Sequence, residues 1–148
     1  MTEVRFHDRV DDALLQFAVI VSRHKGQWVF CKHKQRDTYE CPGGHREPGE
    51  RIDDTARREL WEETGATAFE LVPISVYSVV NDGTESFGKL YFAAIEEFEA
   101  LPALEIESIL LTDSLPTRWT YPLIQPKLLE RIQEKWPVLD RLGEKTAR

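Results

Sequence analysis

Apolar residues fall along this chain in short runs separated by polar and glycine-rich breaks, and these runs predict its elements. Leu15 to Ser22 (LQFAVIVS) is a continuous apolar run rich in β-branched side chains, which reads as a buried strand. His24-Lys25-Gly26-Gln27 interrupts it as a turn, and Trp28 to Lys32 (WVFCK) returns as a second strand. The polar stretch Lys34 to Thr38 is a loop, and Tyr39-Glu40-Cys41 then runs into Pro42-Gly43-Gly44, which ends regular structure. Asp53 to Thr64 (DDTARRELWEET) is a dense run of helix formers, with Asp53 or Asp54 as its N-terminal cap and Gly65 as its stop. Strands follow at Phe69 to Val80 and Lys89 to Ile95, with the turn Asn81-Asp82-Gly83 after the first, and a shorter strand at Ile109 to Leu111. Pro126 to Trp136 reads as an amphipathic helix with Leu128, Leu129, Ile132 and Trp136 on one side. Strands interleaved with two helices predict an α/β (α+β) architecture, a mixed β-sheet sandwiched between α-helices, in a single domain over residues 1–148. The pattern does not disclose the order of the strands.

Composition narrows the function. A chain of 148 residues suits one core, and no apolar run approaches membrane-spanning length. The N-terminal MTEVRFHDRVDD is polar and acidic-leaning, unlike a secretory signal or transit peptide, so the expected location is cytoplasmic. With 26 acidic against 19 basic residues the net charge is -7, which disfavours a nucleic-acid polymer as partner. A small phosphorylated substrate remains open if a cation stands between it and the protein. Cys31 and Cys41 make neither a disulfide framework nor a zinc cluster and read as buried, reduced thiols. His7, His24, His33 and His45 are dispersed and read as surface residues.

The helix carries the chemistry. Glu59, Glu62 and Glu63 stand at i, i+3 and i+4 and project from one face, while Ile52, Ala56 and Leu60 form an apolar stripe. These like charges repel one another in the last turns, where the macrodipole also disfavours anions. Arg58 can reach Glu62 at i+4, but one guanidinium does not neutralise the set. Two readings stand side by side: a solvated acidic face, which is worth little either way, or a site for a hard divalent cation. Flexible backbone at Gly43-Gly44, followed by the turn Pro48-Gly49-Glu50, adds a carbonyl oxygen beside the carboxylates and favours the cation.

Gly44, five residues, Glu50, seven residues, Arg58-Glu59-Leu60, one residue, Glu62-Glu63, one residue, Gly65-Ala66 resembles a complete Nudix box. Ala66 departs mildly, since a larger aliphatic residue is commoner there. The resemblance implies a Nudix fold and Mg²⁺-dependent (or Mn²⁺-dependent) hydrolysis of a nucleoside diphosphate linked to another group. It implies Glu59, Glu62 and Glu63 as metal ligands with the Gly43 carbonyl, and Glu50 as a supporting or additional ligand. Arg58 is implied to orient the glutamates, and Leu60 to hold the helix on the sheet. Glu59 is the first candidate for general base, and a carboxylate from a later loop is its rival. Glu105 or Glu107, preceding the Ile109 strand, is the corresponding extra ligand, with Glu105 preferred.

The sequence after the box lacks the proline or tyrosine of the ADP-ribose and dinucleoside polyphosphate branches, and the upstream motif of coenzyme A hydrolases is absent. What remains resembles the nucleoside triphosphate branch, which includes enzymes acting on 8-oxo-dGTP. In that setting Trp119 or Tyr121 would stack on a base, against the alternative that both anchor the last helix. Lys32, Lys34 and Arg36 would meet the triphosphate, against the alternative of a solvated basic loop. The expected partner is thus a small nucleotide, with no membrane and with a monomer or homodimer as the assembly. The competing functions are a nucleoside triphosphate pyrophosphohydrolase, a hydrolase of another nucleoside diphosphate derivative, and a non-catalytic nucleotide sensor.

Overall fold

The apolar runs divide between two cores because consecutive side chains of a strand point to opposite faces. A computed structural model describes residues 1–135. The chain builds β1 (Thr2–His7), β2 (Leu15–His24), β3 (Gln27–His33), β4 (Gly43–His45), α1 (Ile52–Thr64), β5 (Ala66–Asn81), β6 (Thr84–Phe98), β7 (Ile106–Thr112) and α2 (Gln125–Gln133). In β2, Ala18 and Ile20 face one core and Val19 and Val21 the other; in β6, Tyr91, Ala93 and Ile95 are separated from Leu90, Phe92 and Ala94 in the same way. Ile52, Ala56 and Leu60 of α1 close the first core, and Leu128, Leu129 and Ile132 of α2 close the second. The sheet therefore lies between the two helices, as its alternation with helical segments implies.

The strand order is β1-β5-β6-β2-β3-β7, with β4 lying against β2. β2 and β6 run parallel and the other pairs antiparallel, so the sheet is mixed. The long β5–β6 hairpin turns at Asp82 and Gly83, whose φ values of 50° and 84° give the tight reversal that Asn-Asp-Gly favours. Among the described residues no helix is long and apolar enough to cross a membrane.

Three local features differ from the reading of the sequence. Thr2–His7, too polar to stand out, forms β1 by pairing with β5 from Thr2↔Asn81 to His7↔Val76. Gly43–His45 is not the end of regular structure but a short strand on β2. A Cβ at Gly43 would stand 2.5 Å from the Ala18 carbonyl oxygen, so the missing side chain is what admits the strand. Neither Asp53 nor Asp54 caps α1: the N-cap is Arg51, and Asp53 lies two residues on, within the first turn, receiving the Tyr91 hydroxyl and an ion pair from Lys89 at 3.5 Å. The second helix begins at Gln125, and Trp136, expected on its apolar side, lies outside the described residues.

Gly65 ends α1 with φ 79°, its amide bonded to the Trp61 carbonyl at 2.8 Å, and an added Cβ would meet the Glu99 carbonyl oxygen at 2.7 Å. Gly83 has a similar φ but open space around it. Gly83→Ala should therefore lower stability by roughly 1–2 kcal/mol, the cost of a left-handed alanine. Gly65→Ala should cost about 1–3 kcal/mol more, because backbone must move to admit the methyl group. Urea unfolding of the two variants measures the difference, and equal losses would contradict this account of the α1 stop.

Candidate active site

Arg58 stands at the centre of the acidic helix face and joins carboxylates that would otherwise repel. Its Nε and Nη2 donate to the two oxygens of Glu50 at 2.8 and 3.0 Å, a bidentate clamp. Its Nη1 donates to Glu59 at 2.8 Å and to Glu62 at 3.3 Å, and Nη2 also reaches the His45 carbonyl at 3.0 Å. These partners hold the guanidinium above its ordinary pKa, Glu50 foremost. Glu50 also accepts from the Thr55 hydroxyl at 2.7 Å and the Glu47 amide at 3.1 Å. With both oxygens taken up by donors, Arg58 first among them, its pKa falls to about 2. In this arrangement Glu50 anchors Arg58.

Glu59 and Glu63 behave in the opposite way. Burial raises Glu59 to a pKa of about 7 despite Arg58, and raises Glu63 to about 8 despite the Gly43 amide, which donates to it at 2.7 Å. Repulsion from Glu62 and Glu105 on Glu59, and from Glu59, Glu40 and Glu105 on Glu63, acts in the same direction. A Cβ at Gly44 would lie 2.4 Å from the Glu59 carboxylate, so glycine there lets the β4 backbone approach this group. Among the described residues no three acidic, His or Cys side chains already converge as a metal shell. Glu59 and Glu62 are turned onto Arg58, and Glu63 onto the Gly43 amide. The donor chemistry nevertheless fits a hard cation: desolvated carboxylates short of positive charge, with oxygen ligands and no thiolate or imidazole among them.

Glu59, Glu63, Arg58, Gly43, Gly44 and Glu105 line one cavity of about 860 Å³, whose wall continues over Phe17, Val19, Tyr77 and Val79 to Gln125 and Leu128 of α2. Arg36 and Tyr121 also line it, the guanidinium bonded to Glu40 at 3.0 Å and lying 5.9 Å from the Tyr121 ring. Lys32, Lys34 and Trp119 do not. Lys32 pairs with Glu107, Lys34 is exposed, and Trp119 packs edge-on against Phe30 at 5.4 Å in the α2 core. Trp119 is thus packed with the α2 core, and Tyr121 alone of the two aromatic candidates lines the cavity. Cys31 and Cys41 are buried free thiols, both raised in pKa chiefly by burial.

The histidines are less superficial than expected: His7, His24 and His33 are half-buried, and only His45 is exposed. His7 Nε2 meets the Ser78 hydroxyl at 2.8 Å, and His24 Nδ1 meets the Ile95 carbonyl at 2.7 Å. Sequence reading also missed the apolar wall. The alternation Phe17/Val19 and Tyr77/Val79 would have marked those pairs as sharing a sheet face, but not that the face stays open above them.

The match to known proteins follows this geometry. Residues 13–112 match the NUDIX domain family model, and the chain belongs to that family. It is 38% identical over 80 residues, 54% of this chain and 50% of the relative, to a Bacillus subtilis protein provisionally named 8-oxo-dGTP diphosphatase YtkD. It thus spans about half the length of that curated relative. The fold superposes on the crystal structure of a variant of the Bacillus subtilis pyrophosphohydrolase BsRppH with a TM-score of 0.76 at 27% identity, covering 91% of this chain and 92% of that one. A NUDIX hydrolase from Nitrosomonas europaea, at TM-score 0.66 and 19% identity over 81% and 89% of the two chains, shares the fold.

The raised carboxyls predict a pH dependence of stability. Folding favours the protonated form of Glu59 and Glu63, so their contribution is complete below about pH 4.5 and is lost as pH rises through about 7 and 8. Metal-free protein should unfold at lower urea concentration at pH 8.5 than at pH 5.5. Glu63→Gln should flatten that slope, and added Mg²⁺ should raise the midpoint at pH 8.5. A slope unchanged by Glu63→Gln would refute the assignment.

Proposed function

We propose that this chain is a pyrophosphohydrolase that cleaves a (deoxy)nucleoside triphosphate to the monophosphate and pyrophosphate with Mg²⁺. The observation that carries the reading is the continuity of one cavity: its acidic end on α1 is suited to a metal-complexed diphosphate, and its apolar wall to a nucleobase. The provisional name of YtkD and the name of the pyrophosphohydrolase BsRppH support the reaction class, and the former extends it to oxidised guanine nucleotides such as 8-oxo-dGTP.

Glu59, Glu63 and the Gly43 carbonyl on the cavity wall, with Glu62 beside them on Arg58, are the groups that would hold the cation, and Glu105 is an additional carboxylate lining the cavity. When bound, the cation supplies charge neutralisation of the diphosphate and polarises the phosphorus that is attacked. Arg58 keeps Glu59 and Glu62 oriented while Glu50 keeps Arg58 in place. Glu59 is the candidate proton acceptor for the water that attacks in line, since its carboxylate lines the cavity beside Glu63. The oxygen of that water joins the phosphorus, and the bridging bond to pyrophosphate breaks. Tyr121 and the wall of Tyr77 and Val79 receive the base, and Arg36 lies where it can approach the outer phosphates.

A nucleotide panel containing dGTP, 8-oxo-dGTP, ADP-ribose and a dinucleoside polyphosphate, incubated with Mg²⁺ and scored for phosphate against pyrophosphate, tests this. A triphosphate should release pyrophosphate, and Glu62→Gln should lower kcat roughly 100-fold. Gly44→Ala displaces only the end of Glu59, so it should fold normally yet lose about 100-fold in activity. Turnover of ADP-ribose but of no triphosphate would overturn the substrate class, and full activity of Glu62→Gln would overturn the metal assignment.

A further inference from the structure

We propose that His33 is a positioning residue for the reaction: its imidazole holds the Glu105 carboxylate over the cavity, opposite the glutamates of α1. His33 ends β3, at a register shift between Lys32 and His33, and its Nε2 lies 3.3 Å from Glu105 Oε2. Both residues line the cavity together with Glu59 and Glu63. The Glu105 main chain is fixed independently, since its carbonyl accepts the Lys34 amide at 2.9 Å. Only the side chain is left free to turn.

Electrostatics alone would turn it away. Glu105 adds to the repulsion felt by Glu59 and Glu63, and its side chain is 78% exposed, so a solvated position pointing away costs little. An opposing hydrogen bond is needed to keep a third carboxylate on this side, and among the described residues His33 supplies it. The tautomer follows from burial. Among the described residues His33 Nδ1 is buried without a hydrogen-bond partner. A carboxylate oxygen only accepts, and a proton on Nδ1 would be a buried orphaned N–H, so the proton sits on Nε2, which donates to Glu105. An exposed pair of this kind contributes little to stability. Its effect is on where Glu105 points.

This role rests on the hydrolase reading, and two measurements separate the two. Ring ¹⁵N NMR of the metal-free protein should show His33 as the Nε2–H tautomer, with the Nε2 signal shifted in Glu105→Gln. That readout is independent of any activity. On the substrate turned over in the panel, His33→Phe should lower kcat about 10- to 100-fold with KM changed less than threefold, and His33→Gln, which keeps an N–H donor, should recover part of the loss. In the Glu105→Gln background, His33→Phe should have no further effect. An Nδ1–H tautomer, or a full additive loss in the Glu105→Gln background, would overturn the proposal. Absence of turnover in the wild type, with the tautomer and its shift as expected, would overturn the hydrolase reading and with it the catalytic role, while leaving the pair itself established.

Discussion

The site depends on one guanidinium. Arg58 gathers Glu50, Glu59 and Glu62 and the His45 carbonyl around a single planar fork. A lysine would not reproduce this, since it offers a point charge in place of parallel donors. The bidentate bond to Glu50 fixes the plane of the guanidinium, and the remaining donors then fix the carboxylates of Glu59 beside it and Glu62 one turn on. Glu50 is held in turn by Thr55 and by the Glu47 amide, so the chain of constraint runs from the turn before α1 into its last turns. Remove its origin and the glutamates lose their common direction before they lose their charge.

The same helix is unfavourable in isolation. It places acidic residues where its dipole opposes them and withdraws two from water far enough to raise their pKa values to about 7 and 8. The opposing contribution comes from the other side of α1, where Ile52, Ala56 and Leu60 are buried at 5%, 0% and 0% exposure against β2 and its neighbours. A fully buried leucine contributes about 1.5–3 kcal/mol, comparable to the penalty of one poorly solvated carboxyl. Packing on one face thus sustains electrostatic tension on the other. A cation held by these carboxylates would relieve that tension.

The legible parts of this molecule are those whose signal is local. Glu59, Glu62 and Glu63 share a face because helical spacing requires it, and Gly65 stops the helix because a left-handed residue is needed there. The two central strands announce themselves by apolar runs. β1 and β4 do not, because their pairing is decided by the strands they meet: β1 by β5, and β4 by the absence of a side chain that would strike Ala18. The aromatic candidates divide for a similar reason. Trp119 and Tyr121 are two residues apart, yet Trp119 is drawn into the core by Phe30 while Tyr121 is left at the cavity. Nothing in the sequence near them records that difference.

His33 and Glu105 mark the limit of local reading most clearly. They are 72 residues apart and meet only because β7 pairs antiparallel with β3, with a register shift beside His33 itself. A strand register slipped by one residue would send the imidazole to the opposite face of the sheet. The edge of the sheet therefore has a chemical consequence beyond closing the fold: it decides which carboxylate faces α1 across the cavity. Glu107 illustrates the alternative, since it lies two residues further at the register shift, pairs with Lys32 and stays outside the cavity lining. The glutamates of α1 follow from helix geometry, whereas the carboxylate opposite them follows from sheet register.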